Sequence, residues 1–100
     1  MRIYIAGPMT GLPGFNFPAF NAEAERLRAD GHEVLNPADH GVIDGFEWRD
    51  YMRLDIAQLV TCDAVQLLPG WEKSKGATLE HDIATRLGLY VLEPVEVVEA

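Results

Sequence analysis

"DAVQLLPGWEKSKGATLEHDIATRLGLYVLEPV" spans residues 63–95 and decides the fold. Its opening, 63–69, is a short apolar run closed by Pro69-Gly70, which predicts a strand. Residues 70–74 form a loop. From Lys75 to Leu87, apolar and small residues recur at helical spacing, and Gly88 stops the helix. "LYVLEPV" (89–95) then reads as another strand. Strand, helix and strand joined this closely form a βαβ unit, with two parallel strands linked by a right-handed crossover.

The same alternation continues upstream. "RIYIAG" (2–7) is a first strand ending at a glycine. "PMTGLPGFNF" (8–17) is a loop. The stretch 17–31 is a helix, with Pro18 in its first turn, a stripe of Phe20, Ala24 and Leu27, and Gly31 as its stop. "HEVLNP" (32–37) is strand two, 38–46 is loop, and 47–62 is helix two. The final "EVVEA" (96–100) adds a fifth strand or a tail. Four or five parallel strands with helices on both faces make an α/β three-layer sandwich, expected to form one domain over residues 1–100. Ligands of such sheets bind beyond the carboxyl ends of the strands. The loops 7–16, 36–46 and 69–75 all leave from that edge.

Composition narrows the function. Apolar residues make up 48% of the chain, which excludes a disordered reading. No apolar run approaches the roughly 18 residues of a membrane helix. A single cysteine, Cys62, rules out an internal disulfide, and a cytoplasmic protein is the expectation. The net charge of −8 disfavours a nucleic-acid polymer, whose phosphates need clustered Lys and Arg. A mononucleotide remains open, because one phosphate can be held by N–H groups at a helix start. A chain of this length buries a modest share of its surface, so a homodimer or higher homo-oligomer is expected.

Two carboxylates are out of place. Counting about 100° per residue from Glu80 puts Gly76, Ala77, Ile83, Ala84 and Leu87 within about 60° of it. Asp55 sits likewise among Trp48, Tyr51, Met52, Leu59 and Cys62. A carboxylate buried without partners costs several kcal/mol or keeps its proton. Either residue alone could be solvated at the sheet's edge or cap a neighbouring backbone. Two, on successive helices against one sheet, point to a shared cleft. Paired carboxylates suit chemistry that develops positive charge, such as glycosidic cleavage through an oxocarbenium-like state.

"YIAGPMTG" near the start, "DIAQLVTCDAV" (55–65) and "SKGATLEHDIATRLG" (74–88) resemble the nucleoside 2-deoxyribosyltransferase superfamily, closest to its small, largely phage-associated, DUF4406-like branch. The resemblance covers most of the chain in the right order, and the third motif is the most specific. It implies a flavodoxin-like parallel sheet, an oligomer in which a neighbouring subunit helps close the pocket, and Glu80 as nucleophile. It also implies that Asp55, eight residues before the Asp63 that opens strand three, positions the nucleophile and the sugar. The transferases usually carry a base-contacting aspartate six residues before the nucleophile. Here that position is Ser74. Related hydrolases of deoxynucleoside 5′-monophosphates have a phosphate-binding serine there, so the resemblance leans toward a nucleotide substrate. The C-terminal Asn that some transferases lend across subunits has no counterpart, since Asn36 is the last Asn.

Ser74, Lys75 and Gly76 at a helix start offer a hydroxyl, a cation and free N–H groups for a phosphate; a plain helix cap explains Ser74 equally well. Gly7 and Pro8 end strand one, where the resemblance places the sugar and base pocket, or form an ordinary turn. Met9 and Phe15 could sandwich a base or act as core lids. Trp71 could stack on a base or serve a dimer contact. Tyr4 reaches the pocket if its face of strand one is the right one. His32, His40 and His81 share no metal-ligand spacing, so neither a metal nor a cofactor is expected. The leading expectation is an enzyme acting at the N-glycosidic bond of a (deoxy)nucleoside or its 5′-monophosphate, as hydrolase or transferase. The rival is a catalytically silent nucleotide-binding or sensing protein.

Overall fold

The computed structural model describes residues 1–95; the expected strand or tail at 96–100 lies outside them. Four strands, β1 (Arg2–Ala6), β2 (Glu33–Leu35), β3 (Ala64–Leu67) and β4 (Tyr90–Leu92), form one sheet in the order β2-β1-β3-β4. All three pairings are parallel, with Ile3 opposite both Val34 and Ala64, and Ala64 opposite Tyr90. Three helices connect the strands: α1 (Phe17–Ala29), α2 (Trp48–Leu59) and α3 (Lys75–Arg86). The architecture is a flavodoxin-like three-layer α/β sandwich.

Alternation along β1 divides the core in two. Ile3 and Ile5 point to one face, where they bury Phe20, Ala24 and Leu27 of α1 together with Val34, Ala64 and Leu68. Tyr4 and Ala6 point to the other, against Leu59 of α2, Ala77 and Ala84 of α3, and Cys62. Each fully buried Leu or Phe contributes roughly 1.5–3 kcal/mol. Cys62 is a packed thiol, and burial pushes it above its ordinary pKa.

The helix starts are capped locally. At α2, the Asp50 carboxylate accepts the Glu47 N–H at 2.9 Å, half of a reciprocal capping box. At α3, Ser74 Oγ accepts the Ala77 N–H at 3.1 Å. Short 3-10 turns occupy Pro13–Asn16, Pro37–Asp39 and Trp71–Lys73, stretches read from sequence as loop. Leu87 departs from its place on the apolar stripe of helix three. The helix ends at Arg86, Gly88 turns the chain at φ +77°, and Leu87 is left 59% exposed. Among the described residues, no helix is long and apolar enough to cross a membrane.

Candidate active site

The C-terminal end of β1 opens onto a cavity of about 530 Å³. That is within the usual size range for small-molecule sites. Its wall comes from β1 and its following loop, from the 37–42 segment, from α2, and from the start of α3. Glu80 and Asp55, on different helices, both line it, and both are buried.

Glu80 lies between one and two turns inside α3, under the sheet edge. Its Oε2 accepts a hydrogen bond from the hydroxyl of Tyr4, which is itself fully buried. Burial pushes the Glu80 carboxyl up to about 8; the Tyr4 bond opposes this and the nearby Asp55 charge adds to it. Tyr4 is held well above its ordinary pKa, first by burial and then by Glu80 and Asp55, so it remains a neutral donor. Strand alternation alone left the face of Tyr4 open. The structure puts it opposite Ile3 and Ile5, toward the carboxylates.

Asp55 has a different kind of partner. His40 Nε2 stands 2.9 Å from Asp55 Oδ1, and His40 Nδ1 stands 2.8 Å from the carbonyl oxygen of Gly41. The imidazole stacks on Tyr51, with centroids 5.6 Å apart. The Tyr51 hydroxyl accepts the Ile43 N–H at 2.8 Å and donates back to the Ile43 carbonyl at 3.2 Å, which fastens the loop to α2. Burial raises the Asp55 pKa, while the charge and hydrogen bond of His40 lower it again, leaving it above the ordinary value. Sequence reasoning considered His40 only as a metal ligand. Its role beside Asp55 depends on a contact fifteen residues away that no local pattern reveals.

Gly7, Pro8, Met9, Ser74, Lys75 and Gly76 all line the cavity, as do Phe15 and Lys73. The two glycines also have packing reasons to lack a side chain. A Cβ on Gly7 would meet Leu68 Cβ at 2.7 Å, and one on Gly76 would meet Met52 Sδ at 3.1 Å. Gly7 thus lets the end of β1 pack directly on the Leu68 side chain. The Lys75 ammonium rests over the Trp48 ring, 4.1 Å from its centroid. Trp71 does not line the cavity; its ring packs on His81 at 4.5 Å. Asn36 also lies outside the lining, where it caps Ala38 and bonds Asn21. Asp63 accepts the Arg2 N–H at 2.8 Å, tying β3 to the start of β1. Among the described residues, no group of three or more His, Cys, Asp or Glu could hold a metal ion.

Residues 1–93 match the family described as a domain of unknown function, DUF4406. The chain belongs to that family. No curated protein matches it. Among solved structures, this DUF4406 chain is similar to a 2-deoxyribosyltransferase from the psychrotolerant bacterium Bacillus psychrosaccharolyticus. The TM-score is 0.74 at 16% identity, over 99% of this chain and 77% of that one. At that identity the likeness is one of fold.

Proposed function

We propose that this protein breaks the N-glycosidic bond of a (deoxy)nucleoside or its 5′-monophosphate, with Glu80 as the nucleophile. One observation carries the reading: two buried carboxylates, from successive helices, face one cavity at the ligand-binding edge of the sheet. Breaking this bond builds positive charge on the anomeric carbon, which a carboxylate stabilises and then captures. Glu80 attacks C1′, the base leaves, and a glycosyl ester forms on Glu80. Water or a second base resolves the ester. Tyr4 holds the Glu80 carboxyl in place, and Asp55 orients it or binds a sugar hydroxyl. Met9 and Phe15 offer apolar surface to a base. Ser74, with Lys73 and Lys75 on either side at the positive end of α3, suits a 5′-phosphate. The fold shared with a 2-deoxyribosyltransferase used in nucleoside synthesis adds support.

A second reading, a nucleotide-sensing protein without turnover, draws on one observation. Burial keeps most of Glu80 protonated at neutral pH, and a protonated carboxyl is no nucleophile. Incubation with a panel of deoxynucleosides and their monophosphates, followed by chromatography for free base, separates the two. The enzyme releases base, and Glu80→Ala lowers the rate by a factor on the order of 10⁴ or more. Tight binding without release, unchanged in Glu80→Gln, supports the sensor.

A further inference from the structure

Expelling a base requires a proton as well as a nucleophile, and His40 is placed to keep one. The carbonyl oxygen of Gly41 can only accept, so His40 Nδ1 at 2.8 Å carries a hydrogen. His40 Nε2 then faces the Asp55 carboxyl at 2.9 Å, and a hydrogen bond between two such acceptors requires one further proton between them. Written as imidazolium and carboxylate, or as imidazole and carboxylic acid, the pair is neutral and holds a proton beside the cavity. The side chains are 16% and 9% exposed, so the proton is largely shielded from solvent. We propose that His40 and Asp55 form a proton-holding pair that protonates the departing base, with His40 as the positioning residue that shares the proton and returns it through Asp55. This rests on the glycosidic reading above.

The charges balance across the cycle. The cycle starts from the ionised fraction of Glu80, with the pair neutral. Glu80 Oε forms a bond to C1′, the C1′–N bond breaks, and its electron pair goes to the base. The base takes the proton by way of Asp55. The ester is now neutral and the pair carries the single negative charge. In the second half, water adds to C1′ and gives a proton back to the pair, while Glu80 leaves as carboxylate. Glu80, Asp55 and His40 together never carry more than one negative charge, which is how Glu80 and Asp55 can share a poorly solvated cavity. Tyr4 remains a phenol throughout, and Tyr51, stacked on His40, has its hydroxyl occupied by Ile43.

His40→Gln tests the proposal, because the glutamine amide can still donate to Asp55 but has no proton to give up. Two substrates are compared: a natural purine deoxynucleoside, whose base must be protonated to leave, and para-nitrophenyl deoxyriboside, whose leaving group departs as a stable anion. The expected result is a loss of about 10²-fold or more on the nucleoside and less than about 10-fold on the aryl substrate. Equal losses on both, or no loss on either, overturn the proposal while leaving the glycosidic reading intact. Wild-type protein that cleaves neither substrate overturns both. Should His40→Gln not fold, ¹⁵N imidazole spectra of the wild-type protein decide. Nδ1 protonated throughout the titration supports the pair, and an unprotonated Nδ1 overturns it.

Discussion

The two faces of the sheet bury polar side chains in opposite ways. On the α1 face, alternation places Gln66 beside Ala64. Its amide donates to the carbonyls of Leu67, Leu92 and Glu93 at 3.0, 3.3 and 2.9 Å, stitching the end of β3 to the chain leaving β4. Asn36, buried on the same side, is likewise spent on structure, capping Ala38 and bonding Asn21 of α1, and the side chains packed around them are aliphatic and aromatic. On the α2/α3 face, Glu80 and Asp55 have one side-chain partner each, Tyr4 and His40, and open onto a cavity. Buried polarity thus serves the fold on one face and is left available for chemistry on the other. A carboxyl held this way costs stability whenever it ionises.

The largest expected effect tests that cost. In the unfolded chain Glu80 titrates near its ordinary value, whereas folded it titrates at about 8. Between those values the native state binds the extra proton, so stability falls as pH rises. The contribution is fully present below about pH 4.5 and lost on passing pH 8, at up to about 1.4 kcal/mol per pH unit. Urea denaturation at pH 5 and pH 8.5 is expected to show wild type losing on the order of 3–4 kcal/mol more than Glu80→Gln. Base release moves the other way, with kcat/KM rising through pH 8 as the nucleophile ionises. A wild type and a Gln variant with parallel pH dependence would mean that Glu80 is solvated, and the contrast between the faces would disappear.

The opposite face is expected to answer to packing alone. Leu27→Ala, deep under α1 and outside the cavity lining, costs about 3 kcal/mol through lost burial and the hole it leaves. That loss should be the same at pH 5 and pH 8.5, and base release by the folded fraction should be unchanged. A pH-dependent loss would show that the two cores are coupled through β1.

How far the sequence revealed this arrangement follows from the range of each interaction. The order of the elements was legible because periodicity and Gly or Pro stops are local. Helix two was read as 47–62 and observed at Trp48–Leu59, and helix three as 75–87 against Lys75–Arg86. Strands were read too long, β4 most of all, as 89–95 against Tyr90–Leu92, since apolar runs continue past the ladder. Glu80 and Asp55 stood out because a helical wheel exposes a charge on an apolar face. Their partners did not. Tyr4 is 76 residues from Glu80 in sequence and His40 is 15 from Asp55, so only the folded chain brings them together. Trp71, read as either a base-stacking residue or a dimer contact, is packed on His81 by the turn at Trp71–Lys73, a contact ten residues away that neither reading included.

Ser74 carries the smallest and most discriminating effect, because it belongs to both uses of polarity at once. Its Oγ accepts the Ala77 N–H, a structural cap, and the residue lines the cavity, where the hydroxyl hydrogen remains free to donate. Ser74→Ala is expected to cost about 1 kcal/mol of stability from the lost cap. A phosphate contact adds a second consequence, a KM for deoxynucleoside monophosphates raised roughly tenfold, about 1.4 kcal/mol, with the unphosphorylated nucleosides unaffected. Steady-state kinetics on matched pairs of substrates read this directly. Equal KM changes for both members of a pair reduce Ser74 to a cap, and the phosphate must then be sought at Lys73 and Lys75 alone.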